Sequence, residues 1–265
     1  MKILLYTLGL IILLSSSCSK DDDQIVQNEG DGRTTITFDA TFGSQDFVLN
    51  KDFTSGTKSF NFTKFRYWIS GVTLVNSKGE EYKVPNSYFL LEETSELPVQ
   101  EGAFTYPATK RESIELKNIP FGDYKTIKFS VGVDSKYNDN LSLQAGELSQ
   151  LNGMTNISWM WMTSYIFTSI GGKVSEGSGA TLTTKSIRVE TGLNANYKSV
   201  SLDLPSAVQI SSSKETKIVL KADVEKAIDG VDIVNNPIVG ASKAAIMTSV
   251  ATNYSTKVFT VSSVN

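Results

Sequence analysis

The side chains with the most distinctive chemistry are concentrated in the stretch from Gly153 to Phe167. Its thioether and indole side chains are Met154, Trp159, Met160, Trp161 and Met162. In an extended strand, alternate side chains face opposite sides, so the two indoles would share one face and the last two thioethers the other. Thioethers are soft ligands that suit Cu(I). The alternative is that these side chains fill the interior of a β-sandwich, and their chemistry alone favours that alternative.

The residue types missing from the chain exclude several classes of enzyme. The sequence contains no histidine, and its single cysteine is Cys18. Without imidazole, neither a Ser-His-Asp triad nor a Cys-His pair nor a histidine-ligated zinc site can form. The adjacent carboxylates Glu92 and Glu93 follow a predicted strand, and we expect them to be solvated rather than catalytic. We therefore predict that the protein is not an enzyme.

The N-terminus has the three regions of a bacterial export signal. Met1 and Lys2 precede an apolar run over residues 3–14, and three serines then lead to Cys18. The run is too short to span a bilayer as a helix, which takes about 20 residues. The segment resembles a lipoprotein signal, so we predict a signal peptide over residues 1–17 and a lipid on Cys18. The alternative is an ordinary secretory signal with a chance cysteine.

Residues 18–33 are predicted to form an acidic, flexible tether. The run Ser19 to Asp23 is charged and cannot pack, and the polar residues that follow include glycine. The charged run also resembles the acidic export tag of Bacteroidetes surface lipoproteins. We therefore expect an outer-membrane lipoprotein, exposed at the cell surface and attached to the membrane through Cys18. A formal net charge of −3 gives no electrostatic footprint for nucleic acid.

Alternation of apolar and polar residues recurs from residue 34 to the end of the chain, and this period is typical of half-buried strands. The clearest example is the run Ile127, Phe129, Val131 and Val133. Helical periodicity is limited to residues 223–228 and 241–253. We predict one all-β domain over residues 34–265, a β-sandwich of immunoglobulin-like character with one or two short helices.

Several motifs, taken in their order along the chain, resemble the MbnP-like domain family. The hallmark is Gly153-Met154, then Trp159-Met160-Trp161, Tyr165-Ile166-Phe167 and a glycine-bearing turn at Gly171-Gly172-Lys173. Further motifs that agree in order are Phe65-Arg66-Tyr67-Trp68, Ser87-Tyr88-Phe89-Leu90, Ile119-Pro120-Phe121-Gly122, Val131-Gly132-Val133-Asp134 and Lys221-Ala222-Asp223-Val224. The family is named for a periplasmic copper-binding protein associated with methanobactin uptake. The resemblance covers the chain from about Thr34 onward.

The resemblance implies a copper protein whose Trp-rich strand holds a tryptophan that can be oxidised to kynurenine, beside imidazole ligands. This chain departs from that pattern, because Glu190-Thr191-Gly192 stands where the family has His-x-Gly, and Thr248 stands near a second expected histidine. An imidazole-type copper site therefore cannot form. The candidate metal-site residues are Trp159, Met160, Trp161, Met162 and Glu190, with Met154 as a further thioether; copper is the candidate cofactor. Candidate partners are a heme protein or an outer-membrane transporter.

Two other functions compete with a copper-related binding module. One is a surface lipoprotein that binds a glycan or a protein beside an outer-membrane transporter. Exposed tryptophans stacking on sugars would support it, so the exposure of Trp68 and Trp159 discriminates between the two functions. The other is an enzyme, which a cluster of three or more carboxylates in a cleft would indicate.

Overall fold

Strands make up most of the chain in the computed structural model, which describes residues 30–99, 102–156 and 164–265. In chain order they are β1 (Gly32–Phe42), β2 (Gln45–Asp46), β3 (Asp52–Ser55), β4 (Lys58–Asn76), β5 (Glu81–Lys83), β6 (Tyr88–Thr94), β7 (Leu97–Val99), β8 (Phe104–Tyr106), β9 (Thr109–Arg111), β10 (Ser113–Ile119), β11 (Gly122–Val131), β12 (Thr155–Asn156), β13 (Ser164–Glu176), β14 (Thr183–Gly192), β15 (Lys198–Ile210), β16 (Thr216–Asp223), β17 (Ile238–Val239) and β18 (Phe259–Val264). The α-helices within the described ranges are α1 (Ser135–Asn138), α2 (Val224–Ala227) and α3 (Ala244–Thr256). None of these helices is long and apolar enough to cross a membrane.

The strands form two main sheets. The small sheet has the order β10-β1-β16-β18, with β2 paired to β1. The large sheet has the order β15-β11-β4-β13-β14-β17, and the long strand β4 also pairs with β3, β5 and β6. Most pairs are antiparallel, whereas β1 with β16 and β14 with β17 are parallel. The strands β7 and β8 form a separate hairpin.

Aromatic side chains from both sheets form the main core between them. The ring of Phe38 on β1 lies 5.5 Å from that of Phe129 on β11 and 6.4 Å from that of Tyr67 on β4. Phe259 on β18 lies 5.9 Å from Phe38 and also contacts Phe129. These edge-to-face contacts hold the two sheets face to face, so the prediction of an all-β sandwich is confirmed.

A second, smaller core covers the outer face of the large sheet. Because side chains alternate along β4, Trp68 points away from the main core that contains Tyr67. Trp68 is fully buried and meets the ring of Tyr165 edge-on at 5.9 Å. The second core consists of Trp68, Leu90, Val133, Leu141, Ala145, Leu148, Met154, Tyr165, Ile166 and Phe167. The large sheet is therefore covered on both faces at this end.

Two local predictions differ from the structure. The predicted helix over residues 241–253 begins later, because Ala241–Lys243 forms a 3-10 turn before α3. On α3, Met247 is buried, whereas Ala244 is exposed. The predicted turn at Gly171-Gly172-Lys173 lies instead inside β13. A Cβ at Gly172 would lie 2.1 Å from the carbonyl oxygen of Asn61, so glycine allows the adjacent strand to approach closely.

Truncating a phenylalanine of the main core should cost far more stability than truncating an exposed one. Truncating Phe38, which is buried among three rings, should lower the free energy of unfolding by about 3–5 kcal/mol. The matched control is Phe121→Ala, because Phe121 is exposed at a turn and should change stability by less than about 0.5 kcal/mol. Urea denaturation of the two variants measures both values, and equal losses would contradict this assignment of the core.

Candidate functional site

A row of polar side chains crosses the outer face of the large sheet. Glu92 on β6 lies opposite Arg66 on β4, and Arg66 lies opposite Ser169 on β13. Ser169 in turn lies opposite Glu190 on β14. Residues that face each other across neighbouring strands project to the same side of a sheet, so these four side chains form one polar row. One end of this row, at Glu190, lies beside one cavity, and the other end, at Glu92, lies beside a second cavity.

Glu190 is held between two cations at one end of the polar row. Its Oε1 lies 3.6 Å from Nζ of Lys64 and accepts a hydrogen bond of 3.3 Å from the Ser169 hydroxyl. Its Oε2 lies 3.9 Å from Nε of Arg188. Burial lowers the pKa of Lys64, and the carboxylate of Glu190 opposes that shift. The negative charge of Glu190 is therefore compensated within the protein.

A cavity of about 380 Å³ lies beside Glu190. Among the described residues, its wall includes Thr155, Asn156, Ile166, Arg188, Glu190 and the stretch 238–242. Thr155 and Asn156 immediately precede the segment 157–163, and Ile166 follows it closely. Residues of the cavity wall therefore flank the Trp-rich segment on both sides in the sequence. The wall combines a carboxylate and a guanidinium with apolar side chains, so it suits a small ligand with both polar and apolar parts.

Most of the predicted metal-site residues lie outside the described residues. These are Trp159, Met160, Trp161 and Met162, and the predicted lipid attachment site Cys18 lies outside them as well. The further thioether Met154 is described, and it is fully buried in the second core. Met154 therefore packs the core, with no open side for a ligand.

The described residues do not fit a copper site of the imidazole type. No group of three or more histidine, cysteine, aspartate or glutamate side chains comes together in this part of the chain. Thr248, at the second expected histidine position, is exposed on α3. A metal cation at Glu190 would have to compete with Lys64 and Arg188 for the same carboxylate.

Sequence reasoning missed a buried ion pair at the other end of the polar row. Arg66 donates from Nε to Oε2 of Glu92 at 2.7 Å and from Nη2 to the backbone oxygen of Asn152 at 2.7 Å. Its Nη2 also lies 2.7 Å from Oε2 of Glu92. The hydroxyl of Tyr106 donates to Oε1 of Glu92 at 2.5 Å. The expectation that Glu92 and Glu93 are solvated is wrong, because Arg66 binds the first, and Lys110 lies 3.0 Å from the second. An arginine inside an apolar strand was the available signal, since buried arginines need a partner.

The exposure of Trp68 bears on whether this tryptophan could stack on a glycan. Its ring is fully buried under the second core, so it cannot stack on a sugar. Trp159 lies outside the described residues. Exposed aromatic rings occur elsewhere, at Phe104 and Phe121.

The two cations around Glu190 predict the effect of removing its charge. Glu190→Gln should lower the free energy of unfolding by about 1 kcal/mol, because Lys64 is partly buried and loses its counter-charge. The matched control is Glu176→Gln, since Glu176 lies at the same 3.6 Å from Lys58 in a more exposed pair. The control should lose less than about 0.5 kcal/mol in urea denaturation. Equal losses would contradict a special environment at Glu190.

The same variant has an expected pH dependence. Burial lowers the pKa of Lys64 below 10.5 in the folded protein, so the unfolded chain binds this proton more tightly. Raising the pH therefore removes a charge that is unfavourable in the folded state. The loss caused by Glu190→Gln should be full near neutral pH and shrink as the pH rises through the folded-state pKa of Lys64 toward 10.5. Urea denaturation of both proteins across this pH range measures the loss of unfolding free energy. A loss that grew with pH would contradict this prediction.

The buried ion pair predicts a non-additive result. Arg66→Met should cost about 3–5 kcal/mol, because it leaves the carboxylate of Glu92 buried without its cation. The double variant Arg66→Met/Glu92→Met removes both charges and should be clearly more stable than the single variant. Urea denaturation of both variants tests this pairing, and a double variant no more stable than Arg66→Met would refute it.

Comparison with known proteins places these features in one family. The family model described as MbnP matches residues 31–247. Among solved structures, MbnP from Methylosinus trichosporium is similar, with 15% sequence identity and a TM-score of 0.45, covering 76% of this chain and 85% of that chain. No curated protein matches the chain. The family match spans most of both sheets, the polar row and the cavity at Glu190, and the chain belongs to the MbnP family.

Proposed function

We propose that this protein is an MbnP-family binding module, rather than an enzyme, and that its ligand site is the cavity beside Glu190. The observation that carries the proposal is the position of Glu190. Its motif, Glu190-Thr191-Gly192, resembles the family's His-x-Gly, and its side chain lines a cavity together with the residues that flank the Trp-rich segment. The proposed site therefore lies where the resemblance expects one, but with different chemistry.

The chemistry of the cavity favours an organic ligand over a metal. Glu190 and Arg188 offer an acceptor and a donor, while Ile166 and Val239 supply apolar surface. Lys64 and Arg188 disfavour a further cation at the carboxylate. The copper function of the family is therefore lost or retargeted at this site. Cu(I) held by the thioethers of Met160 and Met162 is the competing outcome, because those are the soft donors in the adjoining segment.

The proposed setting is the outer membrane. A lipid on Cys18 would anchor the chain, since acyl chains contribute about 0.8 kcal/mol for each buried methylene. Residues 18–33 would then act as the tether between the membrane and the domain. In that setting the domain would bind its ligand at the cell surface, beside an outer-membrane transporter or a heme protein.

Native mass spectrometry of the protein isolated from its own cells tests the ligand. We expect a bound organic molecule that is retained by Glu176→Gln and lost from Glu190→Ala and Arg188→Ala, because only the last two residues line the cavity. Elemental analysis of the same sample should find far less than one copper per chain. The peptide that contains Trp159 and Trp161 should have its unmodified mass.

Two results would overturn the proposal. One is stoichiometric copper that is lost from a Met160→Leu/Met162→Leu variant, which would assign the site to Cu(I). The other is an organic ligand that Glu190→Ala and Arg188→Ala still retain, which would place binding elsewhere. Thermal unfolding of each variant separates lost binding from lost folding.

A further inference from the structure

A second cavity lies at the other end of the polar row, on the side of Glu92. Its volume is about 320 Å³, and its wall includes Phe104, Tyr106, Arg111, Glu147, Leu151 and Asn152. We propose that this cavity binds one ring of a neutral glycan, with Phe104 and Tyr106 as the stacking surface. The site is separate from the cavity at Glu190, because the two cavities share no described residue.

Two aromatic side chains provide the stacking surface. Phe104 and Tyr106 are two residues apart on β8, so they project to the same side, about 7 Å from each other. Phe104 is 42% exposed, and Leu151 across the cavity is 53% exposed. Large apolar side chains are seldom this exposed as a group without a ligand or partner to cover them.

The buried ion pair holds Tyr106, one of the two rings of the stacking surface, in place. The guanidinium of Arg66 lies 4.8 Å from the centre of the Tyr106 ring, and the Tyr106 hydroxyl donates to Glu92. Burial, together with that hydrogen bond, raises the pKa of Tyr106, so the hydroxyl keeps its proton. A ring fixed before binding loses little conformational freedom when a ligand stacks on it.

The polar groups at the rim favour a neutral ligand rich in hydroxyl groups. Arg111 and Glu147 are joined by two hydrogen bonds, so this pair adds no net charge. Glu92 is neutralised by Arg66. The surface therefore offers no uncompensated charge to attract an ionic ligand.

One buried amide points to a hydrogen-bonding ligand. Asn152 is only 7% exposed, and its Oδ1 accepts from the backbone N–H of Met154 at 3.0 Å. Its Nδ2 donates to no described residue, and it is not among the fully enclosed polar atoms that lack a partner, so it is open to a ligand acceptor. The Ser149 hydroxyl, which accepts from the N–H of Leu151, also keeps a proton to donate. A sugar ring satisfies these donors, whereas an apolar peptide side chain would cover the Asn152 donor without pairing it.

Affinity electrophoresis of the full chain tests the proposal with four neutral polysaccharides: dextran, soluble starch, galactomannan and arabinoxylan. We expect at least one to retard the protein, and calorimetry with an oligosaccharide of that polymer then gives the affinity. Phe104→Ala and Leu151→Ala should each weaken binding about tenfold. The matched controls are Phe121→Ala and Leu182→Ala, because those side chains are exposed but do not line the cavity.

Three outcomes would overturn the proposal. The first is no retardation by any of the four polysaccharides. The second is an equal loss of affinity in the cavity variants and their controls. The third is retention of the protein by an immobilised apolar peptide in place of a polysaccharide, with the retention abolished by Phe104→Ala. Thermal unfolding of the variants excludes misfolding as the cause of a loss, and exposed positions should tolerate these changes.

Discussion

The large sheet is covered on both faces at the end that carries the second core, and the arrangement of that end depends on this constraint. Its inner face packs on the small sheet, and its outer face carries the second core. A charged side chain beneath the second core, such as Arg66, therefore loses water, which costs several kcal/mol for an unpaired ion. Arg66 and Glu92 meet this constraint by pairing with each other and with Tyr106 and Asn152. The pair fixes the position of every segment that contributes to it.

The same constraint connects the two cavities. Arg66 holds the backbone of Asn152, and Asn152 begins the short stretch that ends at Asn156. Asn152 lines one cavity, Asn156 lines the other, and Met154 between them is buried in the second core. This stretch is thus fastened at two points on the outer face of the sheet. Each cavity has a wall that a buried interaction holds in place, which suits binding without large rearrangement.

Much of the fold could be predicted from the sequence, because alternation along a strand depends on neighbouring residues alone. That pattern predicted the strands and the sandwich, and a helical period predicted the helix near the end. It could not show that Glu92 is buried, since the residue that pairs with it is Arg66, 26 positions earlier in the chain. Nor could it show that Trp68 is covered, because most of the covering residues come from the distant stretches 133–154 and 165–167. Local patterns predict elements, whereas the environment of a charge depends on contacts between elements.

The surroundings of Glu190 show why its residue type alone could not predict the chemistry of the candidate site. In the sequence, a carboxylate in a motif that resembles the family's His-x-Gly suggests only a harder metal ligand. In the structure, Lys64 and Arg188 lie beside it, and Ser169 donates to it. A carboxylate in these surroundings behaves as a fixed hydrogen-bond acceptor, and binding a metal would require both ion pairs to be displaced. The cations beside Glu190 and its hydrogen bond from Ser169 therefore both favour the proposed ligand, which is recognised by hydrogen bonds, over a metal cation.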